Sequence, residues 1–154
     1  MKEIQLTRGM VAMVDDEDFE RINAIKWTLQ KGGNTFYAVN SRNNNTLMHR
    51  VILKAKKGEV TDHINHNGLD NRKINLRLCT HSENLRHRKK HKNNDSGYKG
   101  VYADKKTKTP RYRAQIRVNK KKICIGSFGD PVDAAKAYDK AAKKYHGEFA
   151  LTNF

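Results

Sequence analysis

Thr61-Asp62-His63-Ile64-Asn65-His66-Asn67-Gly68-Leu69-Asp70-Asn71-Arg72-Lys73-Ile74-Asn75-Leu76-Arg77-Leu78-Cys79-Thr80-His81-Ser82-Glu83-Asn84-Leu85-Arg86 is the stretch around which the chain is organised. Asp62 and His63 set a hard oxygen ligand beside an imidazole that can act as a base. Asn75 follows His63 by twelve residues, and Asn84 follows Asn75 by nine. Between them, Asn67-Gly68 and Asp70-Asn71 are turn formers that fold a chain back on itself. Leu76-Arg77-Leu78-Cys79 alternates as a strand does. Thr80-His81-Ser82-Glu83 has the capping-box pattern, with Thr80 as N-cap and Glu83 reaching back, which predicts a helix to about Arg88 with Asn84 near its first turn. The expected order is strand, turn, strand, helix.

That spacing suits a divalent cation held by Asp62 and Asn84, with His63 as the base beside it. It suits equally an aspartate that ends a strand, an asparagine near a cap and an incidental histidine. A zinc site built from His63, His66 and His81 lacks a fourth ligand and the usual zinc spacing, so no zinc is expected.

Composition bounds the partner. The chain has 154 residues, of which 36% are hydrophobic and 31% charged, which favours two small units over one large core. The net charge of +16 predicts a polyanionic partner. Residues 1–48 are balanced, with six Lys/Arg against six Asp/Glu, whereas residues 86–126 carry fifteen Lys/Arg against Asp95 and Asp104. A basic block of that density is the footprint of nucleic-acid binding. No apolar stretch approaches the roughly 18 residues of a membrane span, so no membrane partner is expected. Cys79 and Cys124 are far apart and lack CxxC spacing, and the N-terminus has no charged leader before an apolar core. Together these predict a cytoplasmic, DNA-associated protein with reduced thiols.

Ahead of the central stretch, residues 3–14 read as two short strands broken at Arg8-Gly9. Asp15-Asp16-Glu17-Asp18 suits a helix start, and Phe19, Ile22, Ile25 and Trp27 supply its apolar stripe. Trp27-Thr28-Leu29-Gln30 and residues 35–40 read as a hairpin across Lys31-Gly32-Gly33-Asn34. His49, inside the apolar run 47–53, is either structural or a substrate contact.

After it, residues 86–95 contain no apolar side chain and read as a basic linker that either tethers or touches phosphates from Arg86 to Lys92, through Arg86, Arg88, Lys89 and Lys90 among others. Tyr98 to Tyr102 is strand-like. In the next strand Tyr112, Ala114, Ile116 and Val118 face one side, and Arg111, Arg113, Gln115 and Arg117 the other. Asn119-Lys120 begins a turn, and Ile123 and Ile125 are expected to point inward in the strand that follows. Pro131 starts a helix to about Tyr145, packing through Val132, Ala135, Ala137, Tyr138 and Ala141. An open sheet face of Arg and Gln is either solvated surface or a major-groove reader.

Phosphodiester hydrolysis needs an activated water and neutralisation of charge at phosphorus and at the leaving oxygen, and one cation with an adjacent imidazole supplies these. Magnesium takes one or two oxygen ligands from protein, the number that Asp62 and Asn84 provide. Asp62-His63-Ile64-Asn65-His66-Asn67-Gly68, Asp70-Asn71, Asn75-Leu76-Arg77 and Asn84 also resemble the HNH endonuclease motif in the form found in phage and intron-encoded homing endonucleases. The resemblance implies a ββα-metal (His-Me finger) fold, His63 as general base, Asp62 and Asn84 as metal ligands, and Asn75 bracing the loop and orienting the base. Asn84 stands where many members carry His. It also implies a divalent metal, magnesium first and manganese second.

Tyr98-Lys99-Gly100-Val101, Ala114-Gln115-Ile116-Arg117, Ile125-Gly126-Ser127-Phe128, Asp133-Ala134-Ala135-Lys136-Ala137-Tyr138-Asp139 and Leu151-Thr152-Asn153-Phe154 resemble the plant ethylene-response-factor (Apetala-type) DNA-binding domain. That resemblance implies double-stranded DNA contacts from Lys99, Tyr102, Gln115, Arg117, Lys122 and Cys124. Cys124 stands where the plant domain has tryptophan and Tyr102 where it has arginine, so the plant target sequence does not carry over.

The expected fold class is therefore α+β. A ββα-metal nuclease unit spans 1–88, with its core at about 58–88. A basic linker covers 89–97, and a three-stranded antiparallel sheet packed on one helix covers 98–154. The expected function is a homing-type DNA endonuclease, and the rival is a non-catalytic DNA-binding regulator on the same scaffold. A monomer with one site would nick, and a homodimer could cut both strands.

Overall fold

Ile4, Ala12 and Val14 alternate with more exposed neighbours, and they zip together as the first hairpin of a computed structural model that describes residues 1–90, 93–104 and 109–154. Strands β1 (Lys2–Gln5) and β2 (Val11–Val14) pair antiparallel around Arg8-Gly9, both at positive φ. Helix α1 (Asp16–Asn23) starts on its acidic residues and buries Ile22, with Phe19 and Ile25 packed alongside. Trp27 is not part of the following strand. It is buried in the core and its indole N–H donates to the Ile22 carbonyl at 2.8 Å.

Strands β3 (Thr28–Gly32), β4 (Thr35–Asn40) and β5 (Thr46–Leu47) form a three-stranded antiparallel sheet that leads into α2 (Met48–Ile52). Next come β6 (Val60–His63) and β7 (Leu76–Cys79), paired antiparallel so that Asp62 faces Arg77 and His63 faces Leu76. Helix α3 (His81–His87) begins right after Thr80. The chain divides into two compact units, Met1–His81 and Ser82–Phe154, so the division falls after the first residue of α3 rather than after Arg88.

The second unit holds a three-stranded antiparallel sheet, β8 (Val101–Asp104), β9 (Arg111–Val118) and β10 (Lys121–Phe128), with β9 central, and α4 (Pro131–His146). Asn119 and Lys120 both take positive φ, as a two-residue hairpin turn of matching twist requires. Asp130 caps α4 by accepting from the Val132 and Asp133 amides, and Pro131 opens the first turn. Val101, Ala114, Ile116, Ala135, Tyr138 and Ala141 make the core, joined by Ala134 and Ala142.

Two expectations are corrected here. A bulge between Cys124 and Gly126 adds a residue to β10 and breaks the alternation there, so Gly126 and Phe128 lie opposite the core-facing Ala114 and Tyr112. Ile123, paired with buried Ile116, lies on the inward face as expected, yet it is 37% exposed and not packed into the core. The stretch 89–97 is also not wholly a linker. Ser96 Oγ donates to the Val101 carbonyl at 2.8 Å and Asn94 Nδ2 to the Tyr98 carbonyl at 2.9 Å, which folds its end into the second unit. His91 and Lys92, expected phosphate contacts, lie outside the described residues.

Candidate active site and nucleic-acid face

The loop from Ile64 to Asn75 crosses between β6 and β7 and is held by polar side chains rather than by a core of its own. Asn75, buried, accepts from the Asn65 amide at 2.9 Å and donates to the Asp70 carbonyl at 2.7 Å, while its own carbonyl accepts from the Ile64 amide. Arg72 grips Asp70 through Nε and Nη2, both at 2.7 Å, and Asn65 Nδ2 adds a third contact at 2.8 Å. The Arg72 guanidinium holds the Asp70 carboxyl below the usual carboxylate range.

The N-terminal hairpin buttresses the same loop. The Met13 amide donates to the Leu69 carbonyl and the Asn71 amide to the Met13 carbonyl, both at 2.8 Å, and the Lys73 amide donates to Asp15 at 2.7 Å. Gly68 sits so close to β4 that a Cβ there would stand 2.3 Å from the Phe36 carbonyl oxygen. Thr35 Oγ1 accepts from its amide at 3.0 Å. Only a glycine permits that approach.

This frame delivers two buried groups. His63 is 6% exposed and its Nε2 lies 3.3 Å from Asn71 Oδ1. Asn71 is itself 1% exposed. With Asn71 Oδ1 as the facing atom, the tautomer that makes this bond carries its proton on Nε2 and keeps the Nδ1 lone pair. Burial lowers the His63 pKa, against the Asn71 bond and the charges of Asp62 and Asp70, which raise it. The ring is therefore neutral at pH 7. Asp62 is 8% exposed and its Oδ2 accepts from Arg77 Nε at 3.0 Å and Nη2 at 2.7 Å.

Two further rings close on His63. His49 packs edge-on with centroids 4.6 Å apart, and Tyr37 lies 5.9 Å from His63 and 5.7 Å from His49. Burial, with smaller contributions from His63 and Arg50, pushes His49 down to about 3. The first unit thus brings together Asp62, His63 and Asn75. Asn84 lies half-buried on α3, in the second unit. Asn71, Arg77 and Tyr37 were not singled out for their chemistry in the sequence. Arg77 follows from the register that sets it opposite Asp62, whereas Asn71 looks like any turn asparagine.

In the second unit, the face turned away from α4 carries Tyr102, Arg111, Arg113, Gln115, Arg117, Lys122 and Cys124. Register sets Tyr102 beside Arg113, Gln115 beside Cys124, and Arg117 beside Lys122. Arg113 pairs with Asp104 at 2.6 Å, and Arg111 donates to Ser127 Oγ and to the Ser127 carbonyl. Arg117 and Lys122 are exposed and have no acidic partner among the described residues. Lys99 is not on this face. It precedes β8, its ammonium donates to the Arg86 carbonyl at 2.5 Å, and burial lowers it to about 8. Arg88 and Lys89 are exposed, while Arg86 is half-buried and the Lys90 ammonium donates to the Gly97 carbonyl.

Comparison with known proteins bears on the first unit above all. Residues 46–86 match the HNH endonuclease family. An uncharacterised HNH endonuclease of Acanthamoeba polyphaga mimivirus is 30% identical over 152 residues, covering 95% of this chain and 76% of the relative. An AP2/ERF and B3 domain-containing protein of Oryza sativa subsp. japonica is 42% identical over 59 residues, 38% of this chain but 15% of the plant protein. No solved structure matches. Among the described residues no helix is long and apolar enough to cross a membrane. With 95% of its length aligned to the viral protein and its buried Asp62-His63 pair inside the matched span, the chain belongs to the HNH endonuclease family.

Proposed function

We propose that the chain is a homing-type DNA endonuclease: a metal-dependent nuclease site around His63, directed to double-stranded DNA by the β8–β10 face. The observation that carries this reading is the neutral, buried His63, fixed through Nε2 by Asn71 with Nδ1 left as the basic atom. A general base needs that protonation state and that restraint near pH 7. Asn75 would keep the loop carrying His63 in place, and His49 would exclude water from one side of its ring.

Asp62 and Asn84 offer hard oxygen atoms, which suit magnesium or manganese rather than zinc. Asp62 Oδ2 is held by the Arg77 guanidinium, a cation that a metal at this carboxylate would have to displace or bind beside. Among the described residues no three His, Cys, Asp or Glu side chains converge, so further ligands would come from water and phosphate. When bound, the metal supplies neutralisation of charge on the phosphate and the leaving oxygen. His63 Nδ1 takes the proton from the attacking water, and Asp62, held through Oδ2 by Arg77, keeps its carboxylate fixed beside it.

The reader would act through Arg117, Lys122, Gln115 and Tyr102 in the major groove, with Arg88 and Lys89 on phosphates. Supercoiled DNA with magnesium or manganese tests the whole reading. Wild type is expected to nick or linearise it, and His63→Ala to bind it uncut. A wild type that binds DNA and leaves it intact with either metal would instead be a DNA-binding regulator on a nuclease scaffold.

A further inference from the structure

Tyr37 lies outside residues 46–86, the span matched to the family, yet its ring stands against both imidazoles of the site. Its position is built rather than incidental. A Cβ at Gly32 would come within 2.6 Å of ring atom Cε2, and a Cβ at Gly68 within 2.6 Å of Cδ1. Two glycines from separate segments therefore leave room for opposite edges of one ring. Gly68 belongs to the loop that carries the nuclease motif, so the slot and the site are parts of one construction. A ring held this way has its hydroxyl direction fixed by β4 and by the loop together.

That hydroxyl makes no hydrogen bond among the described residues, although the ring is half-buried. The atom is not sealed off either: it reaches the surface, where an oxygen of a bound substrate can meet it. Burial, and then the negative charge of Asp62, raise the phenol pKa above its ordinary value, so the group remains a donor at any physiological pH. A fixed donor with no internal partner, beside a base and a carboxylate, suits an oxygen on which negative charge develops.

We propose that Tyr37 is a further catalytic residue, its hydroxyl donating a hydrogen bond to a non-bridging oxygen of the scissile phosphate. The assignment rests on the endonuclease reading above. Tyr37 keeps its proton throughout: the water's proton goes to His63, and the bond that breaks is the phosphorus–oxygen bond to the leaving strand. A region outside the family match thereby supplies a substrate contact.

The test compares full-length wild type with Tyr37→Phe in single-turnover cleavage. Phenylalanine keeps the ring, so melting and DNA affinity stay at wild-type values, while the cleavage rate falls about 10- to 1,000-fold. Sulfur in place of the contacted oxygen accepts a hydrogen bond poorly. One phosphorothioate diastereomer at the cut site should therefore slow wild type more than it slows Tyr37→Phe, a difference that a purely structural ring would not produce. Cleavage by Tyr37→Phe at the wild-type rate overturns the hydroxyl's role while leaving the nuclease reading intact. A wild type that binds DNA and leaves it uncut with both magnesium and manganese overturns the nuclease reading, and this assignment with it.

Discussion

The polar side chains around His63 in the first unit are buried and hydrogen-bonded to their neighbours, whereas those of the sheet face in the second are exposed and partly unpaired. Asp62, His63, Asp70, Asn71 and Asn75 are all under 9% exposed, and each is tied to a neighbour by hydrogen bonds. Arg117 and Lys122 lie open to solvent on regular strands. Burial makes each charge or dipole in the first unit matter more, because the local dielectric is low and an unpaired group is expensive. Exposure keeps the sheet cations available to a partner at little folding cost. One region suits chemistry on a single bond and the other recognition over an extended polyanion.

The sharpest way to break that contrast is at His63. His63→Ala is expected to lower cleavage by about 10²–10⁴-fold, the usual contribution of a positioned general base, and to leave DNA affinity unchanged. Plasmid relaxation and a binding isotherm, measured on the same preparation, read both quantities. Equal loss of cutting and binding would show that the two regions are not separable in this way.

How much of each region was legible in the sequence follows from the same contrast. The sheet face was legible because period-two alternation maps directly onto two faces, as Arg111, Arg113, Gln115 and Arg117 show. The alternation failed in β10, where one bulged residue shifted parity and no local signal marks a bulge between Cys124 and Gly126. In the site, Asp62, His63 and Asn75 were legible as a spacing. Asn71 and Tyr37 were not, because their roles come from tertiary approach: a loop pinned to Met13, and a ring admitted by Gly32 and Gly68. Lys99 was misplaced by position alone, since only the fold reveals that its stem turns in toward the Arg86 carbonyl.

Acid probes the first unit next, through its two buried imidazoles. His49 is pushed down to about 3 by burial, against about 6.5 in an unfolded chain. Between those values the unfolded chain binds the extra proton, so stability rises with pH and is lost as pH falls below about 6.5. His63 is shifted in the same direction and adds to the effect. One such group contributes at most about 1.4 kcal/mol per pH unit, or about 2 kcal/mol between pH 6.5 and 5. Trp27, the single tryptophan, sits in the first unit's core and reports on that unit by fluorescence. His49→Phe should flatten the acid dependence of that signal. The same dependence in both proteins would remove His49 as its source.

On the open face, the contrast sharpens into a ranking of two arginines. Arg117 has no acidic partner among the described residues, whereas Arg113 is paired with Asp104 and gives up part of that pairing to meet a base. Arg117→Ala is expected to cost about 1–3 kcal/mol of specific-site binding and to relax preference at one base pair, and Arg113→Ala to cost less. Competition binding against single-base variants of a selected site measures both. Equal costs would show that the Asp104 pair does not set the order.

The smallest effect expected lies before the sheet, at Lys89, which is exposed and lacks an internal partner among the described residues. A lysine that meets only phosphate carries no sequence information, so Lys89→Ala should weaken all sites alike. Neutralising one phosphate releases about 0.9 of a counterion from B-form DNA, so the slope of log affinity against log salt should fall in magnitude by about 0.9. Lys90, whose ammonium is engaged by the Gly97 carbonyl, should change that slope less when replaced by alanine. If Lys89→Ala alters the site preference but not the salt slope, the division between reading and holding does not run where the sheet begins, and residues before Tyr98 belong to the reader.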